Sequence, residues 1–362
     1  MKKYNINTNK YSHLNSDVGF ISLFSGAGGL DIGVKLNKFN ILSSLDNDKD
    51  SIETLKLNKA FSNTVHLCKD ILNITATDYK SIIKNNNPKK LFLIGGPPCQ
   101  PFSKAAYWMT HEKRLGHKSP NNMIEPYLNL IEELKPDGFI LENVESILHP
   151  KNNDYIDFIK NKITKMGFNF KIFKLNSADY GVPQKRKRVF IVASSSELAA
   201  EIPQTHGNTK AIEANPLLNK YEKVFDWISE FDDEKYSDNY DSIDGKYKDD
   251  LISIIPGKNY IYLTSKYNHP SPKFIAGKRY WTFLLKLDPN QPSNTIISSP
   301  GHWEGPFHWN NRRLRIKELA AIQSFPNDYN FYGSRRSVIR QIGNAVPPLL
   351  AKKVVHYIVE GK

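Results

Sequence analysis

Cys99 stands in the string Gly-Gly-Pro-Pro-Cys-Gln-Pro-Phe-Ser at residues 95–103, directly after the apolar run Leu91-Phe92-Leu93-Ile94. Such a run reads as a buried strand, so the cysteine leaves it at the carboxyl end, where open α/β sheets keep their active sites. Pro97 and Pro98 fix their own φ angles and restrict the residues before them, which holds the thiol in place. A rigidly presented thiolate is built for nucleophilic attack. A lone cysteine is more often a small buried residue; the nine-residue context favours the nucleophile.

Three more strings carry groups that suit covalent chemistry. Glu142-Asn143-Val144 follows the apolar run Phe139-Ile140-Leu141, which should bring its carboxylate to the same sheet edge as Cys99. Gln184-Lys185-Arg186-Lys187-Arg188 precedes Val189–Ala193; strand alternation sends Arg186 and Arg188 to one side and Lys185 and Lys187 to the other. Gln341-Ile342-Gly343-Asn344-Ala345-Val346-Pro347-Pro348 lies near the C-terminus. Taken singly, these have plain structural readings as a helix cap, a solvated basic face and a loop.

A fifth string, Phe24-Ser25-Gly26-Ala27-Gly28-Gly29, follows the apolar stretch Gly19–Leu23 and opens a short helix. Glycines there let the backbone approach a ligand, and the helix N-terminus favours an anionic group. Asp46 ends the next strand, where an acid can accept hydrogen bonds from a ribose. The spacing departs from Gly-x-Gly-x-x-Gly, which argues against NAD and for another nucleoside cofactor.

The elements that must position these groups alternate. Strands are expected at Gly19–Phe24, Ile41–Leu45, Thr64–Leu67, Leu91–Ile94, Phe139–Leu141 and Val189–Ala193, and helices at Leu30–Leu36, Asp48–Asn58 and Met123–Leu134. That order implies an α/β fold with a parallel, doubly wound sheet. Residues 195–305 lack clean periods and are rich in Pro, Gly and aromatics, which reads as a small irregular second domain. Helices return at Ile316–Gln323 and Pro347–Glu360, the last packing back on the first domain.

Composition narrows the class. At 362 residues with 40% apolar side chains, the chain can bury a large core, and no apolar run reaches membrane-spanning length. The N-terminus lacks the apolar stretch of a signal peptide. Two cysteines, Cys68 and Cys99, make no disulfide framework and no zinc spacing, so no metal and a reducing cytoplasm are expected. The net charge of +13 points to a polyanionic partner, most simply nucleic acid.

Together and in this order, the five strings resemble the DNA (cytosine-5) methyltransferases of bacterial restriction–modification systems, over nearly the whole chain from Val18 to about Val355. The resemblance implies a Rossmann-like, S-adenosylmethionine-dependent methyltransferase domain at 17–195, a small irregular target-recognition domain at 196–310, and a C-terminal return at 311–362. It implies Cys99 as the nucleophile on C6 of cytosine, Glu142 at N3, Arg188 at O2, and Arg186 supporting the pocket or a phosphate. It places the methyl donor against Phe24, Gly26 and Gly28, with Asp46 on the ribose, Asp70 and Ile71 at the adenine, and Pro98, Asn344 and Val346 lining the rest. Asn47 stands where family members often carry a bulky apolar residue, which shifts adenine stacking onto Phe24 and Ile71.

The target base must be flipped out of double-stranded DNA. Gln100, Ser103 and Lys104, in the polar and basic segment Gln100–Asn122, are expected in a loop that closes over it. Thr295, in Pro292-Ser293-Asn294-Thr295-Ile296, resembles the family's DNA-gripping element; Arg279 and Trp303 belong to a basic and aromatic groove-reading surface. The acidic stretch Glu230–Asp250 is expected to face away from DNA. A monomer, paired functionally with a restriction endonuclease, is the expected form. Two alternatives stand beside this reading. One is a tRNA methyltransferase on the same scaffold, a subgroup carrying a Cys-Phe-Thr element that is absent here; the other is a catalytically dead DNA-binding module.

Overall fold

The computed structural model describes residues 4–8, 14–98 and 122–361. Alternating apolar runs build one seven-stranded sheet: β1 (Asn15–Leu23), β2 (Phe39–Asp46), β3 (Val65–Cys68), β4 (Lys90–Gly95), β5 (Gly138–Val144), β6 (Asn169–Asn176) and β7 (Lys187–Ser194), in the order β3-β2-β1-β4-β5-β7-β6. The linking helices are α1 (Gly29–Leu36), α2 (Lys49–Lys56), α3 (Ala76–Asn86), α4 (Ile124–Leu134) and α5 (Asn153–Lys165).

Strand periodicity divides the core in two. Phe20, Phe92, Ile140 and Val192 face one side with Ile32 of α1; Ile21, Leu93, Phe139, Leu141 and Ile191 face the other with Tyr127 and Ile131 of α4 and Ile159 and Ile163 of α5. Burial on both faces is why these strands read as continuous apolar runs.

The sheet is Rossmann-like but not wholly parallel. β7 pairs antiparallel with both β5 and β6. The connection from β6 to β7 is a short turn-rich segment, Ser177–Arg186, carrying no crossover helix, and so it reverses the chain. Among these strands and their linking helices, three have no counterpart in the expected set: α3, α5 and the edge strand β6.

Beyond β7 the elements are short: β8 (His206–Gly207), β9 (Asn219–Lys220), α6 (Thr209–Ala214), α7 (Val224–Ile228) and α8 (Lys248–Ser253). Ile243, Leu251, Ile254, Tyr260, Leu263, Phe283, Leu284 and Phe307 form a small core of their own, whereas Val224, Trp227, Ile228 and Phe231 join the core of the large sheet. The chain returns through α9 (Ile316–Ile322), α10 (Arg335–Asn344) and α11 (Pro348–Glu360). α11 packs on α1, where the Asn37 amide donates to the carbonyls of Gly33 (2.9 Å) and Lys352 (2.8 Å).

Candidate active site

β1, β2, β4 and β5 all end at one edge, and the strand order changes direction between β1 and β4, where doubly wound sheets open a crevice. A cleft of about 250 Å³ lies at this edge, lined by Phe24, Leu45, Asp46, Asn47, Lys69, Asp70, Ile71, Pro98 and Met123. Six of these are residues picked out in the sequence; Leu45, Lys69 and Met123 had no signal there.

The turn after β1 shapes the cleft mouth. Gly26 has φ 51°, and a Cβ built on it would meet no atom within 4 Å, so the main chain is open to a ligand. Gly28, also left-handed at φ 78°, caps α1. The Asp46 carboxylate accepts from the amides of Gly26 and Asp48, each at 2.8 Å. Burial holds its pKa above the ordinary value, and these two bonds work against that shift. Asp70 caps the turn that carries Ile71, accepting from the Leu72 amide at 2.9 Å. Phe24 and Ile71 supply apolar walls, Asp46 a fixed acceptor and Gly26 an open backbone, a set that fits a nucleoside. Asn344 and Val346 do not line this cleft: Asn344 is exposed, and Val346 is buried behind the turn.

A second group gathers at the ends of β5 and β7. Arg188 Nε lies 2.9 Å from Glu142 Oε1, and both side chains are mostly buried. Burial pushes the Glu142 carboxyl up, opposed by the positive charges of Arg188 and Arg186. Gly96 lets this carboxylate lie against the turn leading to Cys99, since a Cβ there would fall 2.8 Å from Glu142 Oε2. Asn143 Nδ2 donates to the Pro97 carbonyl at 3.2 Å and ties that turn to β5. Cys99, Gln100, Ser103 and Lys104 lie outside the described residues, as does the expected closing loop up to Asn121. Asn122, its last member, is buried and accepts from Tyr155 Oη at 2.5 Å.

Arg188 also borders a groove of about 510 Å³ with Lys185, Lys187 and Thr295. The alternation read from the sequence holds: Arg186 is buried, while Lys185 and Lys187 are exposed. Arg186 is 1% exposed, so it is not a phosphate contact. Its guanidinium donates to the carbonyls of Ile296 (3.2 Å), Gly343 (2.7 Å) and Asn344 (3.4 Å).

A buried relay runs beside it. The Ile296 amide donates to Gln184 Oε1 (3.1 Å), Gln184 Nε2 to Gln323 Oε1 (2.5 Å), and Gln323 Nε2 to the Ala345 carbonyl (2.5 Å). Gln323, at the C-cap of α9, was not picked out from the sequence, where nothing local distinguishes it from its polar neighbours Lys317, Glu318 and Ser324. Thr295 Oγ1 donates to the Lys185 carbonyl at 2.9 Å, completing the join between the two segments.

The remaining candidates are in the second region. Trp303 is half-buried and packs edge-on against Tyr247 with centroids 5.6 Å apart. Arg279 is exposed and lies over the Phe283 ring at 5.3 Å. The acidic stretch is not a free negative face. Asp232 and Glu318 both bond Arg312, Asp241 bonds the buried Arg315 at 2.7 Å, and Asp238 bonds Arg335 at 2.6 Å. Asp232, Glu318 and His308 lie close enough to hold a cation, but the Arg312 guanidinium already bridges the two carboxylates.

Comparison with known proteins agrees with this geometry. The family description "C-5 cytosine-specific DNA methylase" matches residues 18–360. The type II methyltransferase M.SacI of Streptomyces achromogenes is 33% identical over 376 residues, covering 96% of this chain and 94% of that protein. M1.HphI of Haemophilus parahaemolyticus is 26% identical, covering 94% and 86%. Among solved structures, S. pombe Dnmt2 methyltransferase superposes with a TM-score of 0.60 at 16% identity, covering 94% of this chain and 98% of that one, a likeness of fold.

Proposed function

The chain belongs to the C-5 cytosine-specific DNA methylase family and is a DNA cytosine-5 methyltransferase, and from that premise we propose that it methylates C5 of cytosine within a specific sequence of double-stranded DNA, through a covalent Cys99–C6 adduct on a flipped base. The observation that carries the reading is the Glu142–Arg188 pair, held at the sheet edge against the turn that leads to Cys99.

C5 of cytosine is a poor nucleophile. Attack of the Cys99 thiolate on C6 pushes electron density onto C5 and towards N3 and O2. Glu142, whose carboxyl burial pushes towards the protonated form, serves as the acid at N3, and Arg188 stabilises O2. After transfer a base takes the C5 proton, the C5–C6 double bond re-forms and the Cys99 thiolate leaves. Bound in the cleft, S-adenosylmethionine supplies the electrophilic methyl group. Asp46 would hold the ribose hydroxyls, Phe24 and Ile71 would enclose the adenine with Asp70 at its edge, and Gly26 would let the main chain approach, with Gly28 packed behind it against Leu55 and Tyr329; Asn47 and Pro98 complete the wall. Arg186 is a positioning residue that fixes β7 against the Ile296 and Asn344 segments. No metal enters this scheme.

Thr295, beside Arg188, grips the DNA backbone, and residues 196–310, with their own small core, read the sequence. Gln100, Ser103 and Lys104 complete the DNA-facing edge. Among the described residues no helix is long and apolar enough to cross a membrane; a cytoplasmic monomer working beside a restriction endonuclease completes the proposal. The test is methyl transfer from labelled S-adenosylmethionine to duplex DNA and to tRNA, followed by bisulfite sequencing. Label in DNA at cytosines of one sequence is expected; label in tRNA alone, or scattered cytosines, contradicts the reading.

A further inference from the structure

The loop Ile275–Trp281 presents large side chains to water on a fixed backbone. Ile275, Tyr280 and Trp281 are 71%, 68% and 60% exposed. The loop is nonetheless pinned from below. The buried Tyr260 hydroxyl accepts from the Gly277 amide at 3.0 Å and donates to the Arg279 carbonyl at 3.1 Å. The buried Asn259 amide donates to the Trp281 carbonyl at 2.8 Å. Apolar side chains held out on a rigid frame mark an interaction site, because the ordering cost is met before the partner arrives.

Charge identifies the partner. Residues 273–281 carry Lys273, Lys278 and Arg279 and no acid. Lys273 pairs with the nearby Asp250 at 2.6 Å, which leaves Lys278 and Arg279 as the net positive charge of the loop. Trp303, the aromatic first suggested by the sequence, is half-buried against Tyr247 and offers less surface than Tyr280 and Trp281. A positive, aromatic-tipped loop suits a polyanion whose grooves expose base edges, the apolar thymine methyl among them.

We propose that Ile275–Trp281 enters a groove of the DNA duplex and that Tyr280 and Trp281 contact bases there as specificity-determining residues. This rests on the DNA-methylating reading above. Lys278 supplies a phosphate contact, which adds affinity without sequence choice.

The test uses the full chain and plasmid DNA whose methylated sites have been mapped with the unaltered protein. Tyr280→Ala and Trp281→Ala are each expected to raise KM for DNA about tenfold and to broaden the methylated consensus. Affinity for S-adenosylmethionine and Tm should stay unchanged, and Trp281→Phe should recover most of the loss. Lys278→Ala should weaken DNA binding at all sites and flatten its salt dependence. Alanine variants with normal KM and an unaltered consensus overturn the proposal, as does equal loss of cofactor affinity. If the unaltered protein transfers no methyl group to DNA, the failure lies in the underlying reading instead.

Discussion

Arg188 Nε and Glu142 Oε1 meet at 2.9 Å at the ends of two antiparallel strands, where β7 pairs with β5. Burial raises the Glu142 pKa and the arginine charge lowers it. If Glu142 works as the acid at N3, activity falls as pH rises through its pKa. Removing the arginine charge in Arg188→Ala raises that pKa further, so the alkaline limb should move to higher pH while kcat drops about a hundredfold for loss of the O2 donor. Glu142→Gln keeps a donor but cannot titrate, and the limb should vanish. A pH–rate profile of kcat checks both; limbs at one pH in all three proteins exclude this role for Glu142.

Asp46 holds the Gly26 and Asp48 amides and lines the cleft at the sheet edge. A ribose contact is the same in ground and transition states, so Asp46→Ala should weaken cofactor binding far more than it lowers kcat. Calorimetric titration with S-adenosylmethionine should show Kd raised at least tenfold. Undiminished affinity would remove Asp46 from the site.

Asp31 lies beneath the glycine turn, accepting from Ser22 (2.8 Å) and Ser44 (2.7 Å), and its burial raises its pKa from 3.8 to about 6. A carboxyl with a raised folded pKa favours folding below its unfolded pKa, and that contribution is lost as pH rises through the folded value. Stability should therefore decline from about pH 4 to above pH 6, by about 2–3 kcal/mol at ~1.4 kcal/mol per unit. Asp31→Asn should remove that decline, read by urea unfolding at pH 4 and 7.5. A variant with the same pH dependence as the parent refutes the assignment.

Gly343 sits where α10 meets the segment after Thr295: a Cβ on it would lie 2.6 Å from Ser298 Cα. Arg186 holds the same Gly343 carbonyl at 2.7 Å. Gly343→Ala must push these segments apart, at a cost of about 1–3 kcal/mol. Tm should fall and KM for DNA should rise, because Thr295 and Arg188 share one groove. A normal Tm would show that the junction yields freely.

The parts of the fold visible in the sequence are those whose chemistry is local. Two-sided burial marked β1, β2, β4, β5 and β7 as apolar runs, and the glycine and proline turns after β1 and β4 marked the functional edge. α3 was invisible because its sequence is polar and only Tyr79 is buried. β6 is an edge strand with an exposed side carrying Lys171, which leaves no apolar run. The Gln341–Asn344 string reads as a loop but is the end of α10, since arginines and a glycine hide its helical period. Arg186 shows the limit of local reading: its place beside Arg188 gave its facing, but its partners lie more than 100 residues away in the chain.

The central claim is a covalent bond between Cys99 and C6 of the target cytosine. Release of the enzyme requires loss of the C5 hydrogen, and fluorine at C5 blocks that step. DNA carrying 5-fluorocytosine at the methylated position should trap the protein as an adduct that survives denaturing electrophoresis, only with S-adenosylmethionine present. Cys99→Ser should form none, since a serine hydroxyl is a far weaker nucleophile at neutral pH. Cys68→Ser, altered at the exposed thiol on β3, should trap normally. An adduct in Cys99→Ser, or its absence in Cys68→Ser alone, would contradict the account.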